Sequence, residues 1–142
     1  MTTPELQQRR PLPTFSQLAA VAAGGAVGAP LRYAFVLLFP PDPGRFPVVT
    51  AAENLVGAFL LAFVLTAMLG RWRRLEPYRL FLGTGILGSF TTFSTLSLEL
   101  VQLLQAGAFG TAALYALSSL LGGVLVAVAG VVSARKLLGE RA

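Results

Sequence analysis

Read along its length, the chain alternates four long apolar runs with three short polar breaks. The runs cover about Phe15 to Phe39, Val48 to Leu69, Tyr78 to Gln105 and Phe109 to Ser133. Each meets the length of roughly 20 residues that a helix needs to cross hydrocarbon. The breaks read PPDPGRFP at 40–47 and GRWRRLEP at 70–77, then a near-direct turn at Ala106–Gly107–Ala108. The first two end in Pro, which stops one helix before the next begins. Trp72 and Tyr78 stand at a boundary, where amphipathic rings favour the headgroup layer. The pattern predicts an all-α membrane protein with a polar, Pro-rich, disordered leader over 1–14. A four-helix transmembrane domain follows over 15–133, and a basic tail over 134–142. Arg9 and Arg10 ahead of AAVAAGGA resemble a signal peptide, but the apolar run continues past the roughly 7–15 residues of such a segment. All four helices are therefore read as retained.

Polar positions inside the runs carry the candidate chemistry. Ionisable groups at membrane depth are costly and mark function by default. There are three, Arg32, Glu53 and Glu99, each within about two turns of a span end. There Arg32 can snorkel to the headgroups and the acids can face a shallow aqueous vestibule. In the second run Thr50, Glu53, Asn54 and Gly57 fall at i, i+3, i+4 and i+7, one face of a helix. Tyr115, Ser119 and Gly122 repeat this in the fourth run, while Gly24, Gly28 and Arg32 step by four in the first. Such stripes either pack helices closely or line a path for a polar solute. Pro30 predicts a kink just before Arg32.

The third run is the least helix-like. GTGILGSFTTFSTLSLE over 83–99 gathers three glycines and then a cluster of hydroxyls, which predicts a helix interrupted near Gly88–Thr91. Broken membrane helices are tolerated where the freed carbonyls face a cavity or an ion, and such carbonyls are hard oxygen ligands suited to Na⁺. GTGILG also matches G-x-G-x-x-G. A dinucleotide site, however, needs a preceding strand and an acid about 20 residues on, and neither is present.

Composition narrows the field. Of 142 residues, 55% are hydrophobic and 12% charged, about half the charged share of a soluble domain. The chain has no Cys and no His, which excludes disulfides, thiolate or imidazole metal sites and a His-based nucleophile relay. No acid–base or nucleophile–base constellation is visible, so an enzyme is not expected. The net charge of +5 sits at the ends of apolar runs, a membrane signature rather than a nucleic-acid one. Amide, hydroxyl and ring-edge groups favour a small anion as solute, and the two acids favour a cation. Composition leaves the sign open.

GGAVGAPLRY (24–33), TAAENLVGAF (50–59) and GILGSFTTFSTLSLE (85–99), in this order within four spans, closely resemble the Fluc/CrcB fluoride channels. GxxTTFST is the most specific of these motifs. The resemblance implies a four-helix subunit that dimerises antiparallel in the plasma membrane and passively releases fluoride from the cytoplasm. It implies a structural Na⁺ on the backbone carbonyls of Gly88 and Thr91. It also implies a fluoride path past Asn54, Phe93, Ser94, Thr95, Leu96, Tyr115 and Ser119, with Arg32 and Glu99 as groups of the vestibule; Thr50 and Glu53 join them as polar residues of the second run's stripe. The chain departs from the family at three positions. Leu96 stands where a second Phe is usual, Glu53 where an apolar residue is usual, and Pro30 likewise. The runner-up is a small dual-topology, proton-coupled multidrug exporter with Glu53 as its carboxylate, but that class keeps Trp beside its acid and the only Trp here is in a connector.

Charge predicts orientation. Arg9, Arg10, Arg71, Arg73, Arg74, Arg79, Arg135, Lys136 and Arg141 fall on one side of a four-span chain, nine against the single Arg45. Both termini are then expected in the cytoplasm. An antiparallel dimer of this chain with itself needs dual insertion, so a homologous second subunit is the favoured partner. The expected contacts are otherwise fluoride and lipid, with no nucleic acid.

Overall fold

A computed structural model describes residues 12–40, 42, 44–70 and 76–139. Most of the leader, Trp72 and the last residues of the tail lie outside the described residues. The elements are α1 (Phe15–Leu38), α2 (Val48–Gly70), α3 (Glu76–Arg79), a π-helical stretch (Leu80–Leu87), α4 (Gly88–Phe90), α5 (Phe93–Gln105) and α6 (Phe109–Leu138). The third span is thus assembled from four pieces, and all described regular structure is helical. Four helices are long and apolar enough to cross a membrane.

Local chemistry sets the ends. Thr14 caps α1, with its hydroxyl accepting from Gln17 N–H and the Gln17 side chain returning to Thr14 N–H, a reciprocal pair that satisfies two orphan donors. Helix α1 runs unbroken through Pro30. Helix α6 continues past Ser133, where the fourth span was expected to end, and carries Arg135 and Lys136 in its last turn, where cations favour the negative end of the helix dipole. It stops at Gly139, whose φ of 71° supplies the left-handed cap. Residues 134–138 of the expected tail are therefore helix.

Helix α1 packs on the π-helical stretch and α2 packs on α6. Glycine makes both contacts possible. A Cβ at Gly24 would lie 2.7 Å from Gly85 Cα, and one at Gly130 would overlap the Phe59 carbonyl. These backbones approach too closely for any side chain. Little of the apolar surface is buried within the chain: 6% of the most apolar window of α6 and 11% of that of α1. The remainder of both helices faces outward as Leu, Val and Phe, a surface suited to lipid or to another subunit rather than to water.

Candidate ion path at the broken third span

The break falls at Thr91–Thr92, just after the expected position. Thr91 (φ −75°, ψ 153°) and Thr92 (φ −144°, ψ 122°) are both extended. Hydroxyl side chains offer the backbone local partners that compete with the helix. Thr92 uses its own to cap α5, accepting from Thr95 N–H at 3.1 Å. Thr91 Oγ1 donates back to the Leu87 carbonyl at 3.0 Å.

Asn54 closes the break from α2. Its Oδ1 accepts from Thr92 N–H at 2.8 Å and its Nδ2 donates to the Thr92 carbonyl at 2.9 Å. One side chain thereby pairs both polar groups of an extended residue. In a continuing α-helix, Thr92 N–H would bond the Gly88 carbonyl and Thr95 N–H the Thr91 carbonyl, four residues back in each case. Asn54 captures the first donor and the Thr92 hydroxyl the second. The carbonyls of Gly88 and Thr91, like those of Ser89 and Phe90 between them, are therefore left without their helical donors. Their oxygens have the chemistry of alkali-cation ligands, so the residues present fit the expected Na⁺.

One turn toward the 40–47 connector lies a second polar cluster. Glu99 is buried, with Thr50 Oγ1 donating to its Oε1 and the Tyr115 hydroxyl to its Oε2, both at 2.7 Å. Phe46 of the connector meets the Tyr115 ring edge-on, centroids 5.3 Å apart. Thr50, Thr95 and Glu99 border a cleft of about 290 Å³. Glu99 also borders a neighbouring cleft of about 380 Å³ with Asp42, Arg45 and Gln102. Both open beneath the connector, where Arg45 and Asp42 form an exposed salt bridge of 3.1 Å.

The remaining sequence-predicted residues divide. Phe93 stands 81% exposed at the start of α5, with Ser94 exposed beside it. Leu96 packs against the cluster of Ala51, Leu103, Ala112 and Tyr115. Ser119 Oγ is buried without a hydrogen-bond partner, one turn along α6 from Tyr115. Glu53 is buried, and its Oε1 also has no partner. Arg32 is half-buried on α1. The clamp on Thr92 and the shared carboxylate of Glu99 join residues 38, 49 and 16 positions apart. The stripe on α2 marked the face of Asn54 and Thr50, but spacing alone identified none of these partners.

The sequence profile of the family described as CrcB-like protein, Camphor Resistance (CrcB), matches residues 19–131. The chain is 44% identical over 124 residues to the fluoride-specific ion channel FluC 3 of Streptomyces avermitilis, covering 87% of this chain and 61% of that protein. It thus spans about three fifths of the Streptomyces relative's length. It is 47% identical over 123 residues to the fluoride-specific ion channel FluC of Deinococcus radiodurans, covering 85% of this chain and 93% of that one. With FluC of Agrobacterium fabrum it shares 40% over 121 residues, 84% of this chain and 97% of the relative.

Proposed function

The chain belongs to the CrcB-like family, and from that premise we propose that it is a fluoride-specific channel that passively releases fluoride from the cytoplasm. It is a multi-pass membrane protein of a channel family, not an enzyme. That membership also removes the multidrug-exporter alternative. The observation that carries the reading is the clamped break, where a neutral amide and a run of hydroxyls meet carbonyls released from the helix inside a membrane-spanning segment.

Fluoride is small and strongly hydrated, so each step of its passage needs donors to replace water. Asn54 keeps one Nδ2–H beyond its bond to Thr92. Phe93 would offer the positive edge of its ring. Ser94 and Thr95 would add hydroxyls, and Ser119 an uncommitted buried one. Tyr115 contributes more by holding Glu99 than by donating to an anion, because its proton is already engaged. Leu96 lacks a positive ring edge, which weakens the path where the family usually has a second Phe. Na⁺ bound by the Gly88 and Thr91 carbonyls would supply a positive charge that offsets the cost of an anion in the membrane. Two copies of this carbonyl pair about a two-fold axis would complete a four-oxygen site. The reading is an antiparallel dimer in the plasma membrane, and the one-sided Lys/Arg distribution favours a homologous second subunit over a second copy.

The test is efflux from liposomes loaded with fluoride or chloride and containing the protein purified together with its homologous partner subunit. Fluoride is expected to leave far faster than chloride. Equal loss of both ions would overturn the reading.

A further inference from the structure

We propose that Arg45 is the charge that draws an anion into the mouth above Glu99, and that Asp42, paired with it, limits that pull. The charge arrangement stands on geometry; its consequence for flux rests on the fluoride reading. Two clefts of about 290 and about 380 Å³ open beneath the 40–47 connector. Among the described residues that line them, the charged ones are Asp42, Arg45 and Glu99, and each borders both clefts. Glu99 is buried and accepts from Thr50 and Tyr115 on its two oxygens, an arrangement suited to a carboxylate. A mouth holding only Asp42 and Glu99 would repel an anion. Arg45 is the one cation on these walls, since Arg32 of α1 lines neither cleft.

Turn chemistry holds Arg45 at that place. Asp42, Pro43, Gly44 and Arg45 follow the type II turn pattern, with Pro second and Gly third. Gly44 takes the positive φ, 80°, that the third position requires, and Arg45 N–H donates to the Asp42 carbonyl at 3.1 Å. The side chains join the same two residues again, Arg45 Nη1 to Asp42 Oδ2 at 3.1 Å. Next along the chain, Phe46 sets its ring edge-on against Tyr115, which fixes the connector over the residues that hold Glu99. The Arg45 and Asp42 side chains are 81% and 63% exposed. Such a pair adds little to stability, but its charges face the solution with which ions exchange. The pair is neutral as a whole, so the field it sends into the clefts depends on both members. Removing either one shifts the potential at the mouth by a full charge, in opposite directions.

The potential can be read with a thiol on the cleft wall, because the chain has no cysteine of its own. Gln102 lines the larger cleft, and Gln102→Cys is purified together with the homologous partner subunit. Its rates of modification by a sulfonate-bearing and a trimethylammonium-bearing methanethiosulfonate are compared, with the mass of this chain as the readout. The ratio of the anionic to the cationic rate isolates charge, because looser packing or altered thiol reactivity changes both rates together. At about 0.01 M salt, where the screening length is about 30 Å, Arg45→Gln should lower the ratio about fivefold. Asp42→Asn should raise it by a similar factor. Arg45→Lys should stay near the parent, and all differences should shrink at about 1 M salt. An unchanged ratio in Arg45→Gln, or an equal change in Arg45→Lys, overturns the proposal. If the thiol at 102 does not react, Ala106→Cys on the same wall takes its place. In liposomes at low salt, Arg45→Gln should lower the initial fluoride efflux about twofold. Unchanged efflux beside a conducting wild type overturns the role in conduction. A wild type that passes no fluoride overturns the fluoride reading instead, and the reagent ratio still decides the charge assignment.

Discussion

Asn54 holds an unusual position for an amide because both ends of its carboxamide are committed to one backbone residue, Thr92. Each such bond is worth about 0.5–1.5 kcal/mol net, and a buried group left without its partner costs about 1–3 kcal/mol. Asn54→Ala therefore does more than delete a donor from the path. It frees Thr92 N–H to return to the Gly88 carbonyl, which favours closing the helix over the break. Asn54→Asp keeps an acceptor for Thr92 N–H but sets a carboxylate oxygen against the Thr92 carbonyl. Both variants are expected to lose at least about tenfold in fluoride efflux, a shift of at least about 1.4 kcal/mol, while eluting at the wild-type position on size-exclusion chromatography. Wild-type efflux from the alanine variant would reduce Asn54 to a packing residue. The polar stripe on α2 made Asn54 legible in the sequence, but its partner was not. That partner is a backbone unit with no side-chain signature, brought near by tertiary packing.

At the scale of elements, the four spans were legible because hydrocarbon imposes a minimum apolar length that few sequences meet by chance. The break was legible because hydroxyls crowd at one place and compete with the helix. The π-helical stretch ahead of it was not. Leu80–Leu87 is LFLGTGIL, and nothing in its periodicity separates it from an α-helix. π-Turns recur at functional sites, and here the wider turn lies where Gly24 and Gly28 of α1 press against Gly85 and Ile86. The break also carries a prediction about the cation. If Gly88 and Thr91 hold Na⁺ through carbonyls, replacing all Na⁺ with a bulky organic cation should slowly reduce fluoride efflux. Thr91→Ser should remain close to wild type, because the ligand is backbone and serine keeps the hydroxyl that bonds Leu87. Thr91→Val removes that bond and is expected to be weaker. Full efflux after exhaustive Na⁺ removal would rule the site out.

The whole molecule raises the question of how such a subunit is inserted. A dimer of two copies in opposite orientations requires each chain to enter the membrane both ways, and dual insertion requires nearly balanced Lys and Arg on the two faces. This chain is far from balanced. Arg71, Arg73, Arg74, Arg79, Arg135, Lys136 and Arg141 share one face even when Arg9 and Arg10 of the leader are set aside, against Arg45 alone on the other. Arg45 is further offset by its salt bridge to Asp42. Short connectors carrying this bias should fix both termini in the cytoplasm, and the opposite half of the dimer then falls to a homologous chain with the reverse bias. The absence of cysteine makes a direct test possible. Asp42→Cys reports on the first connector and Pro77→Cys on the second, each labelled in intact cells with a membrane-impermeant maleimide. Labelling is expected at residue 42 only, together with little fluoride resistance when the chain is expressed alone. Comparable labelling at both positions would establish dual insertion, and the dimer would then be one of identical chains.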